Sequence, residues 1–151
     1  MRLFGFILLI SFPALLPENT FAQKKTLFKP PVVFTSIGIR TNGDSVKVEE
    51  GVQLAGLPLK VKDKAGNAYE IANYRFLYRQ KGYVENPENG KIEVVYTNAA
   101  SRFDHTPLPK VWKENIARQL QKGEEFSFFE ILVKDKQGRL FYAPDLHLYI
   151  D

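Results

Sequence analysis

The stretch LKVKDKAGNAYEIANYRFLYR, residues 59–79, decides the fold class. Lys64-Ala65-Gly66 separates two runs of alternating polarity. A three-residue loop with glycine last suits a type I turn closed by a left-handed residue and a bulge. That register sets Val61 opposite Tyr69 and Leu59 opposite Ile71, so one face is apolar on both strands. The longer arm then carries Ala72, Tyr74, Phe76 and Tyr78 on one face and Asn73, Arg75, Leu77 and Arg79 on the other. Period-two alternation rich in aromatics marks a half-buried strand and argues against a helix.

Outward from this hairpin the same chemistry recurs. VKDKAG at residues 61–66 returns as VKDKQG at 133–138. The second copy predicts a hairpin of Phe126–Asp135 and Arg139–Ala143 around Lys136-Gln137-Gly138, pairing Val133 with Phe141 and Ile131 with Ala143. The match spans little more than a turn, so we read it as convergent turn chemistry, not duplication. Asn42-Gly43 is a strong hairpin signal. It predicts pairing of residues 31–40 with residues 45–49, Ile39 opposite Val46 and Ile37 opposite Val48. A polar loop, residues 81–90, precedes a strand at 91–97, and a last strand runs from Leu146 to Ile150.

One helix is predicted, over residues 108–122. Pro109 suits a first turn, Trp112, Ile116 and Leu120 form an apolar stripe, Glu114 and Arg118 can pair across a turn, and Gly123 is a natural stop. The expected class is α+β, mainly β: antiparallel hairpins in a sandwich-like arrangement, with the helix of residues 108–122 packed on the sheet.

The chain's 151 residues suit a single domain, and 44% hydrophobic with 25% charged residues is a globular balance. The absence of cysteine excludes disulfide scaffolds, thiol nucleophiles and cysteine-ligated zinc. Residues 1–22 carry an export pattern: Arg2, an apolar run from Leu3 to Leu16, and Thr20-Phe21-Ala22 before Gln23. The run is too short for a spanning helix, and prolines interrupt it. We therefore expect a cleaved signal peptide (1–22), an extended linker (23–31), a single domain (32–151), a periplasmic or secreted location, and no retained membrane anchor. A net charge of +4 would suit nucleic acid in the cytosol. Export, and the mixing of Lys with Asp and Glu, point away from a nucleic-acid partner.

Candidate chemistry is sparse. Asp104-His105 precedes the helix and His147 lies in the last strand, but no spacing joins them as metal ligands. Ser36, Ser45, Ser101 and Ser127 sit in no nucleophile-elbow context. Glu49-Glu50 and Glu124-Glu125 are sequence neighbours, which point apart on a strand, so we read both pairs as solvated. No catalytic residue, no metal ligand and no cofactor is assigned. A binding face is better supported: Arg75, Leu77 and Arg79 share one strand face, with Tyr83 in the following loop, and Arg and Tyr are enriched in interfaces.

Residues 116–150 run in a distinctive order. The end of an amphipathic helix leads through Lys122-Gly123-Glu124 into FSFFEILVK, then DKQG and two short closing strands. This order resembles the C-terminal periplasmic domain of the GldM family of gliding-motility and type IX secretion proteins. Residues 69–82 resemble the strand before that domain's tip loop. Lys122-Gly123-Glu124 departs from the family's Pro-Gly-Asp step but keeps the glycine. The resemblance implies a GldM-like β-rich envelope domain, without stalk or anchor, that binds a protein partner and needs no cofactor. A glycan- or peptidoglycan-binding module is the alternative, since exposed Tyr and Trp rings stack on sugars.

Overall fold

The computed structural model describes residues 27–151. The expected signal peptide and the first part of the expected linker lie outside the described residues. The elements are β1 (Val33–Ile37), β2 (Asp44–Val46), α1 (Val48–Ala55), β3 (Leu59–Asp63), β4 (Ala68–Glu85), β5 (Ile92–Phe103), α2 (Lys110–Gln119), β6 (Glu125–Lys134), β7 (Leu140–Ala143) and β8 (Leu146–Ile150). The domain is α+β and mainly β, as its alternating patterns predict.

The strands form one curled eight-stranded sheet in the order β1-β3-β4-β6-β8-β2. β5 lies along the other edge of β4, and β7 follows β8 along the far edge of β6. All pairs are antiparallel except β2 with β8. The inner face of β4 presents Tyr74, Phe76 and Tyr78. Phe126, Phe128, Ile131 and Val133 of β6 and Leu146, Leu148 and Ile150 of β8 continue it. Ile116 of α2, Leu120 at its C-cap and Leu54 of α1 cover this floor. Phe76 is 0% exposed and its ring meets Trp112, Phe126 and Phe128 at centroid distances of 5.4, 5.6 and 4.8 Å. Aromatic pairs at such spacings add to simple area burial.

The twin turns form as their chemistry requires. Asp63 Oδ1 accepts the amides of Ala65 and Asn67, and Asp135 Oδ1 those of Gln137 and Arg139, all at 2.8–2.9 Å. Gly66 and Gly138 take φ of 86° and 79°, the left-handed region the bulge demands. Val61 faces Tyr69, Val133 faces Phe141 and Ile131 faces Ala143, in the expected registers. Leu59 does not face Ile71. β3 leaves β4 beyond Val61, Leu59 pairs with Ile37, and Ile71 pairs with Val133. The last strand has the expected bounds, 146–150.

The expected hairpin around Asn42-Gly43 does not form. Gly38, at φ 56°, turns the chain immediately after β1. The amides of Ile37 and Arg40 donate to each other's carbonyls at 3.1 and 2.9 Å, and Ile39 is left 86% exposed. Asn42-Gly43 is a turn, but it is docked on β8: Asn42 Oδ1 accepts the His147 amide, and the Gly43 amide donates to the His147 carbonyl, both at 2.9 Å. This tether lays β2 parallel to β8.

A second helix, α1, takes Val48 and Glu49 from the end of the expected strand at 45–49 and continues through residues for which no element was expected. Glu49 and Glu50 lie in its first turn, where carboxylates complement the helix dipole. Glu50 also accepts two hydrogen bonds from Arg40, at 2.6 and 2.8 Å. Gly51 lets α1 approach closely: a Cβ there would stand 2.8 Å from Leu120 Cδ2 and 3.0 Å from Ile150 Cδ1. The predicted helix of residues 108–122 is shorter, at Lys110–Gln119, with Pro109 as its N-cap. Arg118 donates to Asn115 and not to Glu114, which pairs with Lys110.

Glu124 corrects the solvated reading of Glu124-Glu125. It is 2% exposed. Its carboxylate accepts the Tyr78 hydroxyl and the amides of Lys81 and Gln121, the latter two at 2.8 and 3.1 Å. It thereby ties the end of α2 to the middle of β4. Burial, followed by this bond, raises the Tyr78 phenol far above its ordinary range.

Candidate interaction face

β4 is longer than expected and continues to Glu85, so the predicted loop at 81–90 shrinks to a turn around Asn86–Gly90. β5 extends to Phe103, past the predicted 91–97. The two strands stay in unbroken register from Tyr74–Phe103 to Glu85–Ile92. β6 accompanies β4 only as far as Arg79–Glu125. Beyond that point β4 and β5 form a two-stranded arm.

The predicted residues share the outer face of this structure. Arg75 is exposed, Leu77 and Arg79 are half-buried, and Tyr83 is 56% exposed on the arm. The face was legible because the inner aromatics force its partners outward. Its electrostatics were not. Arg75 Nε lies 3.4 Å from Glu130 Oε2, and Arg79 Nη1 lies 2.7 Å from Glu125 Oε1. Arg102 of β5, directly opposite Arg75, also reaches Glu130 at 2.8 Å and donates to Asn73 at 3.0 Å. Glu130 has φ 47°, in the left-handed region that a non-glycine residue seldom occupies. It lies where the ladder between β4 and β6 shifts register, and the two guanidiniums hold its carboxylate on the outer face. Sequence reasoning missed Arg102, Glu125 and Glu130, since only the strand order brings them beside β4.

Tyr96 is the other missed member. It stands opposite Lys81, and the Arg79 guanidinium lies 4.0 Å from its ring centroid. The Lys81 ammonium lies 5.5 Å from the Tyr83 ring. Both are cation–π distances. The outer face thus carries Arg75, Arg79, Lys81 and Arg102 against Glu125 and Glu130, and its far end is apolar. Ile92, Val94, Tyr96 and Tyr83 span 44% to 65% exposure there, and Val84 is exposed on the opposite side of the arm. A cluster of this kind suits recognition of another macromolecule.

The remaining candidates border this arrangement: Ser127 stands opposite Leu77 with His147 beside it, and Asp104-His105 follow Arg102. His105 Nδ1 and Asp104 Oδ1 are 2.7 Å apart in the exposed segment after β5. That segment lines an open hollow of about 470 Å³ with Asn73 and Arg102. His147 Nδ1 and Ser127 Oγ meet at 2.8 Å across β6 and β8. Among the described residues no three His, Asp or Glu side chains are grouped to hold a metal ion. A cleft of about 370 Å³ lies beside the twin turns, lined by Phe28, Tyr69, Asp135 and Arg139. Phe28, within the expected linker, packs against Phe141 at 6.1 Å under the Arg139 guanidinium. No described helix is long and apolar enough to cross a membrane. Comparison with protein-family models and with curated proteins finds no match to this chain.

Proposed function

We propose that this chain is a non-catalytic, exported envelope domain that binds a protein partner through the outer face of β4 and β5. The observation that carries the reading is the arm beyond Arg79, which holds Tyr83, Val84, Ile92, Val94 and Tyr96 in solvent next to paired arginines. Aromatic and Arg side chains at an apolar centre with a polar border make the usual anatomy of a protein interface. The GldM-like order of residues 116–150 supports a role near gliding or type IX secretion machinery. The export pattern of residues 1–22 supports a periplasmic or secreted location.

Arg75 and Arg79 already hold carboxylates of β6, so the partner is recognised by shape and apolar contact as much as by charge. Crosslinking in intact envelopes, with mass spectrometry of the adducts, tests this. Peptides bearing Tyr83 or Tyr96 are expected in adducts with a second protein. Arg75→Glu with Arg79→Glu should keep the fold and lower capture of that protein. A folded double variant that captures as well as the parent removes this face. The glycan alternative has support in the same exposed tyrosines, although Trp112 is packed against Phe76 and Phe103. Retention on insoluble peptidoglycan that Tyr83→Ala abolishes would favour it.

A further inference from the structure

β5 is a bare edge. Among the described residues its only strand neighbour is β4. The ladder between them has no bulge, and β5 contains neither proline nor lysine. Bulges, prolines and lysines are the usual devices that blunt an exposed edge. Its two charges, Glu93 and Arg102, stand near opposite ends. A long, regular edge with no charge from Val94 to Ser101 is a template for another strand.

The residues of β5 indicate which strand. Its first half is bulky (Ile92, Val94, Val95, Tyr96) and its second half is small (Asn98, Ala99, Ala100, Ser101), with Thr97 between. An antiparallel strand of the same sequence, centred on Thr97, sets bulky Val94, Val95 and Tyr96 against small Ala100, Ala99 and Asn98. Tyr96 then faces Asn98 of the second copy, Val95 faces Ala99 and Val94 faces Ala100. Glu93 faces Ser101 and Ile92 faces Arg102, so no like charges meet. The even spacing keeps each side chain on its own face, as a two-fold axis normal to the sheet requires. Arg102 is also set on the same face as Glu85 of the second copy, one strand beyond Ile92. Centring on Asn98 would instead set Glu93 against the buried Phe103.

We propose that the chain forms a two-fold dimer by antiparallel pairing of β5 with β5 of a second copy, Thr97 lying on the axis. The dimer joins two sheets edge to edge and makes one continuous surface of the two outer faces. It goes beyond the partner-binding reading and stands or falls separately.

Sedimentation of the purified protein tests it, with a dimer mass expected. Thr97 is exposed. Thr97→Lys and Thr97→Glu should each keep the circular dichroism of the parent, while like charges on the axis raise the dimer dissociation constant roughly tenfold or more. Mixing the two variants should restore the dimer as a heterodimer. Because the chain has no native cysteine, Thr97→Cys gives an independent reading. Facing residues on paired strands lie within disulfide reach, so this variant should cross-link in air. Asn98→Cys, whose two copies sit diagonally, should cross-link far less. A monomer at every concentration overturns the proposal, as does a dimer indifferent to both charges at position 97. Cross-linking at position 98 ahead of 97 overturns the register.

Discussion

β4 is one strand with two surroundings. From Glu70 to Arg79 it lies against β6, with β5 joining it along the other edge from Tyr74, and helices cover the inner face there. From Gln80 to Glu85 it has β5 alone. Within the first region, from Tyr74 to Arg79, side chains alternate between buried and outward, and every aromatic on the inner side is enclosed. In the second region both sides face water, yet apolar residues continue: Tyr83 outward, Val84 inward, with Ile92 and Val94 beside them. A lone two-stranded ribbon is marginal by itself. Alternating polarity therefore records where a core is, and its failure on a regular strand records where contact with another molecule is expected.

The largest effect expected from this contrast is at Phe76. Phe76→Ala should lower stability by about 3–5 kcal/mol in denaturant unfolding, because it empties the centre of the aromatic cluster. A loss below about 1 kcal/mol would mean that the body is not packed around β4.

Glu124 stands at the border between the two regions. Glu124→Gln turns an acceptor-only group into one that also carries two donors, and it meets three donors already in place. We expect a cost of about 1–3 kcal/mol, and faster amide exchange at Lys81. Equal stability with unchanged exchange would break the idea that this residue anchors the arm to α2.

On the arm itself, Tyr83→Ala should change stability by no more than about 0.5 kcal/mol. The same substitution should weaken partner capture. A large stability loss would show the arm to be part of the core, and the contrast between the two regions would collapse.

The smallest effect concerns pH. The Asn67 side-chain N–H, with backbone amides, holds the Asp63 carboxyl below the ordinary aspartate range. For Asp135 burial acts upward, but the Arg139 and Gln137 amides and the Arg139 guanidinium outweigh it, and the net direction is down. A carboxyl depressed in the folded state contributes stability that is present above its unfolded pKa. That stability is lost as pH falls through the folded value. Protection of the Ala65, Asn67, Gln137 and Arg139 amides should thus stay constant from neutral pH to about 4 and fall only below it. A fall that begins well above about pH 4 would break the assignment to these two carboxyls.

The difference between the two glycine turns that formed hairpins and the one that did not explains what was legible. Lys64-Ala65-Gly66 and Lys136-Gln137-Gly138 each follow an aspartate that bonds the turn's own amides, so the geometry is settled within a few residues. Asn42-Gly43 has comparable turn propensity, but its side chain bonds His147, more than a hundred residues away. The helix Val48–Ala55 was missed, and its first two residues were read as strand, for a related reason. Gly51 weakens its helical pattern, and only the approach of Leu120 and Ile150 explains why glycine is there. On the candidate face, Arg75, Leu77 and Arg79 followed from period-two alternation, whereas Tyr83, expected in the following loop, is on β4 itself. Their neighbours Tyr96, Arg102, Glu125 and Glu130 depended on strand order.

The sequence by itself determined the mainly β class, the twin Asp-Gly turns, the span of β8, and the inward side of β4. Each of these rests on interactions among residues a few positions apart, or on a polarity period that any sheet must obey. Tertiary structure alone decided that β2 runs parallel to β8, that Glu124 is buried under three donors, that arginines of β4 and β5 share carboxylates of β6, and that β5 is left as an open edge. These features depend on which distant strands become neighbours. That choice is made by the summed burial of the whole sheet, and no local pattern contains it.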